Sequence, residues 1–212
     1  MLTLYGNLES GNVYKVRLLL ARLCIEHIRV EVNQVDGDPK TPEFRAINPI
    51  GKVPALRFDD GRVLSESGAI LYYLAQDTPI WPDGPWHRAE VLRWMFFEQY
   101  SHEPAIAVNR YILNYMADAS GQAARVAENA EKGAHALGVM ESRLGAQDWL
   151  AAGRHTIADI ALYAYTHTAN EAGFDLVAYP AIGRWLARIA AQPGHIGQME
   201  ENSAAPVERL IA

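Results

Sequence analysis

Apolar residues in the first 77 positions switch between a period of two and a period near 3.6, the signatures of strand and helix. Residues 2–5 read as a strand. Val16, Leu19, Leu20 and Leu23 fall at 3–4 spacing and predict a helix over residues 13–23, with Ser10 or Asn12 available as its cap. Ile28, Val30 and Val32 alternate with Arg29 and Glu31, the pattern of a half-buried strand. Asp36-Gly37-Asp38-Pro39 is turn chemistry. Thr41 then precedes Pro42, which suits the first position of a short helix. Strands follow over 55–58 and 62–64, joined by the hairpin turn Asp59-Asp60-Gly61, and a helix over 67–76. The order is βαβ, a short helix, then ββα. The helical crossover makes the first two strands parallel, and the tight turn makes the last two antiparallel.

Residues 78–86 hold three prolines and one glycine and read as a linker. Beyond them the pattern predicts helices only. Residues 88–116 form a long helical stretch that should bend at Pro104. Val126, Ala130, Gly133, Leu137, Met140 and Leu144 follow one another at steps of four and three, which is one helix face. Thr156-Ile157-Ala158-Asp159 opens another helix as a capping box, with Asp159 in place of the usual Glu or Gln. A last helix begins near Pro180 and ends by Pro193. The expected fold is a small α/β domain followed by an all-α one.

Composition narrows the function classes. The 212 residues carry a formal charge of −6, which argues against nucleic acid as the main partner. No apolar run reaches the roughly 18 residues of a membrane span, and the N-terminus lacks the layout of a secretory signal, so a cytoplasmic location is expected. The single cysteine, Cys24, excludes an internal disulfide, a CxxC pair and a cysteine-based zinc site. It ends an apolar helix and is expected to be a buried packing thiol. The seven histidines show no metal-site spacing, so no metal is expected.

Two segments carry the chemistry. In Asn48-Pro49-Ile50-Gly51-Lys52-Val53-Pro54-Ala55-Leu56, a turn runs into a strand that opens on proline. Proline cannot donate to a ladder, so it stands at a strand's first residue, an edge or a bulge. Val53 before it can then offer its own N–H and C=O to an extended peptide. In Glu66-Ser67-Gly68-Ala69-Ile70 a polar pair opens a helix, whose free N–H groups and dipole favour a carboxylate. Together they describe a pocket for a small anionic peptide.

These motifs, in this order and followed by Thr156-Ile157-Ala158-Asp159, resemble the soluble glutathione S-transferases over almost the whole chain. The stretch Tyr5-Gly6 and Ser10-Gly11-Asn12-Val13-Tyr14-Lys15-Val16-Arg17 looks like the serine-type bacterial and fungal branch, which shares theta and beta features. The resemblance implies a thioredoxin-like domain over 1–77, a linker over 78–86 and an all-helical domain over 87–212. It implies glutathione as cosubstrate and attack of its thiolate on a small hydrophobic electrophile. A free thiol titrates at about 8.5, so the site must stabilise the thiolate. Ser10 is the expected donor, together with the N-terminus of the first helix. Asn12 is a second donor, and Tyr5 is the competitor used by other classes.

The resemblance further implies that Val53, before a cis Pro54, aligns the cysteinyl backbone. Ser67 then receives the γ-glutamyl carboxylate and Glu66 its ammonium. Lys40 and Lys52 are the candidates for the glycyl carboxylate, although Pro39 stands where many relatives carry a histidine. Arg17 is expected to pair within its own domain. The electrophile is expected between the domains, beside Trp94, Phe97, Tyr100, Ile106, Arg110 and Tyr111. A homodimer comes with the resemblance. The rival readings are a glutathione-dependent isomerase, dehalogenase or etherase on this fold, and a binding protein without turnover.

Overall fold

Leu4, Tyr5, Val13, Val16, Leu20, Val30, Val32, Phe44, Leu56 and Ile70 pack into one core, which draws the strands and helices of the first 76 residues together. The computed structural model describes residues 1–210. It divides into two compact units, Met1–Gln76 with the segment from Pro193 onward, and Asp77–Gln192.

In the first unit, β1 (Leu2–Tyr5) pairs in parallel with β2 (His27–Glu31) across α1 (Gly11–Arg22), and antiparallel with β3 (Ala55–Arg57). β4 (Val63–Ser65) pairs antiparallel with β3. α2 (Pro42–Ile47) is capped by Thr41, whose Oγ1 accepts from Phe44 N at 3.3 Å, and α3 (Ser67–Ala75) follows β4. One strand escaped the sequence pattern. β5 (Glu208–Arg209) adds in parallel to the open edge of β2, giving the order β4-β3-β1-β2-β5. Two charged residues carry no alternation to read, and only the free N–H and C=O groups of the β2 edge make them a strand. The sequence division assigns residues from Pro193 onward to the helical domain; they group instead with this sheet.

The second unit is helical: α4 (Pro85–Phe97), α5 (Glu103–Asn114), α6 (Ala123–Ala146), α7 (Ile157–Thr166) and α8 (Pro180–Ala190). Between α4 and α5, residues Glu98–His102 form a π turn just before Pro104. Proline lacks an N–H and its ring crowds the carbonyl four residues back, so the wide turn lies where the bend was expected. On α6 the buried face holds Asn129 rather than the expected Ala130. A straight helix drifts from a strict 4–3 repeat. Asn129 tolerates burial because its Nδ2 donates to Asn109 Oδ1 at 3.1 Å, while Asn109 Nδ2 donates to Val126 O at 3.0 Å.

Cys24 also departs from expectation. It is exposed, with φ 53°, just past the C-cap of α1. Its N–H reaches Ala21 O at 3.1 Å and Ile25 N–H reaches Leu20 O at 2.9 Å, the Schellman closure of a helix. The left-handed position turns the side chain out of the apolar stripe.

Candidate functional site

The site is assembled from the ends of β1, α1, β3 and α3. β1 leaves the sheet at Gly6, where an added Cβ would lie 2.3 Å from Val13 Cγ2, so only glycine lets the loop pass this close to α1. The loop runs to Ser10, which is buried and caps α1. Its Oγ accepts from Val13 N at 3.4 Å. That contact occupies a lone pair and leaves the hydroxyl hydrogen to point elsewhere, so capping and donation to a ligand are compatible in one side chain.

Tyr5 sits in the core instead. Its ring meets Phe44 edge-on at 6.4 Å, Arg57 lies over its face at 5.4 Å, and burial pushes its phenol above the usual value.

The motif 48–56 owes its shape to Asn48. Its Nδ2 donates to Lys52 O at 2.7 Å and its Oδ1 accepts from Ile50 N at 3.2 Å, closing the turn with its own side chain. Gly51 has φ 66°, and a Cβ there would lie 2.9 Å from Pro39 O. The close approach sets the turn bearing Lys52 against the one bearing Lys40, and both lysines are exposed. The Val53–Pro54 peptide is cis, and Val53 lies just before the ladder, whose register starts at Tyr5 opposite Ala55.

Glu66 stands at the N-cap of α3 with φ 67° and ψ 113°, and its side chain makes no capping bond. A non-glycine residue held at positive φ stores strain of the kind found at ligand sites. The first turn of α3 carries no acidic residue, so its N–H groups are suited to an outside carboxylate.

Ser67 is buried, and its Oγ donates to Asn12 Oδ1 at 3.0 Å. Lys15 Nζ donates to the same oxygen at 2.7 Å. Asn12 thus ties the start of α1 to the start of α3, a role beside the donor role expected from sequence. Lys15 was missed. Its signal is a charge between Tyr14 and Val16, on a helix face that buries it together with Arg17.

The candidates in the helical unit scatter. Ile106 is wholly buried in that unit's core, whereas Tyr100 is 88% exposed. Tyr111 is half exposed and stacks on Tyr115 at 6.5 Å. Arg110 is buried, and its Nε donates to Glu171 Oε2 at 2.6 Å while another guanidinium N–H reaches Tyr115 Oη at 3.0 Å. Glu171 thus pairs with the Arg110 charge. Trp94 is likewise core, packed edge-on against Phe97 at 5.2 Å. Among the described residues, no three His, Cys, Asp or Glu side chains are grouped to hold a metal, and no helix is long and apolar enough to cross a membrane.

Comparison with known proteins is consistent along the chain. Residues 1–76 match the glutathione S-transferase N-terminal domain and residues 105–193 the C-terminal domain. The chain is similar to glutathione S-transferase D7 of Drosophila melanogaster, 31% identical over 176 residues that cover 81% of this chain and 76% of that protein. It is also similar to the disulfide-bond oxidoreductase YfcG of Escherichia coli, 31% identical over 87% of this chain and 88% of the relative. The structure of a glutathione S-transferase from Pseudomonas fluorescens superimposes with a TM-score of 0.92 at 43% identity, covering 94% of this chain and 99% of the other. The fold is that of those relatives: a thioredoxin-like domain with a mixed sheet, then a helical domain.

Proposed function

Because the chain belongs to the glutathione S-transferase family, we propose that it conjugates the thiolate of glutathione to a small hydrophobic electrophile, with Ser10 and the N-terminus of α1 stabilising the thiolate. The sulfur lone pair forms the new C–S bond, the leaving group departs with its electron pair, and the thiol proton passes to water.

One observation carries this reading. Ser67 and Asn12 join the starts of α3 and α1 through a 3.0 Å hydrogen bond, in the unit that also holds Ser10 and Val53–Pro54. Two helix N-termini next to one another are suited to the anionic parts of one small peptide. In this reading Val53 aligns the cysteinyl backbone before Pro54, Ser67 receives the γ-glutamyl carboxylate and Glu66 its ammonium. Lys40 and Lys52 face the glycyl carboxylate. The serine at position 10 favours the serine-type branch. A homodimer in the cytoplasm, and a division at 77 and 86, complete the proposal.

Calorimetric titration with glutathione and turnover of a generic aryl halide test it. No binding at millimolar glutathione would leave a binding protein without this cosubstrate. Ser67→Ala is expected to raise the glutathione KM at least tenfold with a smaller change in kcat, since a hydrogen bond to a charged group contributes about 1.5–3 kcal/mol. Steady-state kinetics with glutathione as the varied substrate checks this.

The resemblance to YfcG favours one second reading, in which glutathione carries out disulfide exchange. No cysteine lies in the loop before α1, and Cys24 stands about 20 Å away along that helix at 1.5 Å per residue. Disulfide chemistry here would draw both sulfurs from glutathione. In that exchange two glutathione thiols reduce a disulfide substrate to two thiols and leave as oxidised glutathione. Product analysis therefore separates the two readings: conjugation consumes glutathione into a thioether, whereas exchange yields its disulfide.

A further inference from the structure

The loop from Gly6 to Ser10 has three carbonyls held by side chains from outside it. Arg29 donates to Gly6 O at 2.8 Å. Gln198 Nε2 donates to Leu8 O at 3.2 Å and to Glu9 O at 2.9 Å, the two peptides immediately before Ser10. Gln198 belongs to the segment that returns from the helical unit, 188 residues further along the chain.

That segment is built into the first unit rather than draped on it. Tyr14, buried on α1, donates to Ile196 O at 2.7 Å. Arg17, one turn on and fully buried, donates to Gln198 O at 2.6 Å, to Glu200 O, and to Asn202 Oδ1 at 3.1 Å. Burial pushes the Arg17 guanidinium down to about 10, so it is still a cation near neutral pH. Three peptide or amide oxygens accept from it, and the nearby Glu201 offsets part of that desolvation. Arg29 binds Glu201 Oε2 at 2.7 Å as well as Gly6 O, and Ala204 N donates to His27 O at 2.8 Å. The segment ends as β5 on the edge of β2.

Gln198 is therefore fixed at its backbone by α1 while its side chain holds the loop that leads into α1. We propose that this returning segment is part of the thiolate-activating apparatus, with Gln198 as a positioning residue that sets the direction of the Ser10 hydroxyl through the Leu8 and Glu9 carbonyls. The inference rests on the Ser10 reading above. A hydroxyl donates well only within a narrow range of angles. A loop whose two preceding peptides are free to rotate would spread that direction and weaken the bond to sulfur, with little effect on contacts to the rest of glutathione.

The test uses the full chain. Gln198→Met keeps the length of the side chain and removes its N–H donors, whereas Gln198→Lys keeps a donor of similar reach. In Gln198→Met, the UV-monitored titration of enzyme-bound glutathione is expected to move to higher pH. Turnover of an aryl halide near neutral pH should fall about tenfold, equivalent to about 1.4 kcal/mol, and recover as pH rises. The glutathione KM should change little, and Gln198→Lys should restore most of the rate. A folded Gln198→Met protein with an unchanged thiol titration would overturn the proposal. If that variant does not fold, Gln198→Asn, whose amide falls one methylene short, carries the same test. Ser10→Ala keeps the two readings apart. If it leaves the titration in place, the Ser10 reading itself fails; if it moves the titration while Gln198→Met does not, only the positioning role fails.

Discussion

Turnover of a generic aryl halide by Ser10→Ala is expected to fall about a hundredfold near neutral pH, with the thiol of bound glutathione titrating roughly two pH units higher, which corresponds to about 2.7 kcal/mol. A hydrogen bond to a charged group is worth about 1.5–3 kcal/mol, and it acts here on the thiolate alone. The α1 dipole survives the substitution and keeps part of the stabilisation. The same change removes a helix cap, which by itself costs about 0.5–2 kcal/mol. The Val13 N to Ser10 Oγ contact is long at 3.4 Å, so the stability loss should sit at the low end of that range. Ser10→Gly separates the two roles, because glycine is nearly as good a cap but has no hydroxyl. It should lose activity like alanine and keep its thermal midpoint. UV difference titration of bound glutathione and steady-state rates against pH read both quantities. An unmoved thiol titration in both variants would remove Ser10 as the activator.

The largest effect on stability should come from Asp159. Its carboxylate is fully buried and takes four donors: Thr156 N at 2.9 Å, Leu150 N at 3.1 Å, Trp185 Nε1 at 3.0 Å and Thr156 Oγ1 at 3.1 Å. It closes the start of α7, the turn before it and the packing of α8 in one group. Asp159→Ala strands all four donors away from water and is expected to destabilise the chain by about 3–5 kcal/mol, the range for breaking a buried polar network. Equilibrium unfolding in urea should show this as a lower midpoint.

Burial outweighs the donors and pushes the Asp159 carboxyl from 3.8 up to about 6. The folded state therefore binds the proton more tightly than the unfolded one. Its contribution is full below about pH 4 and is lost as pH rises through about 6, on the order of 3 kcal/mol at about 1.4 kcal/mol per pH unit. Asp159→Asn cannot titrate, so the fall in stability between those pH values should flatten in unfolding curves taken across the range. An unchanged slope would assign it to other groups.

Much of this was legible in sequence because it depends on neighbours in the chain. Thr41 before Pro42, Asp59-Asp60-Gly61, Asn48 closing its own turn and Asp159 three residues after Thr156 are local devices, and each folds into the element its pattern predicts. The spacing of the segments around Val53 and Ser67 was local as well, and it was enough to suggest an anionic peptide.

Other placements have a different cause. Sequence cannot place Ile106, Arg110 and Trp94, because an aromatic and basic helix face is the same string whether it lines a pocket or a core. In the fold Arg110 meets Glu171, 61 residues away, and Ile106 is wholly buried. Cys24 followed the apolar run of α1, but the run ends one residue before it, and the left-handed cap turns it outward.

By itself the sequence determined most of the helices and strands and that a mixed sheet precedes a helical region, and it suggested which residues to test against a small anionic peptide. Hydrogen bonds and periodicity within a few residues suffice for that. Only the tertiary structure decided that Lys15 and Asn12 meet Ser67, that Arg17 spends its charge on a distant peptide segment, and that Gln198 holds the loop of Ser10. Those contacts join residues up to 190 positions apart, and nothing in a local pattern encodes which distant backbone carbonyl a buried donor will find.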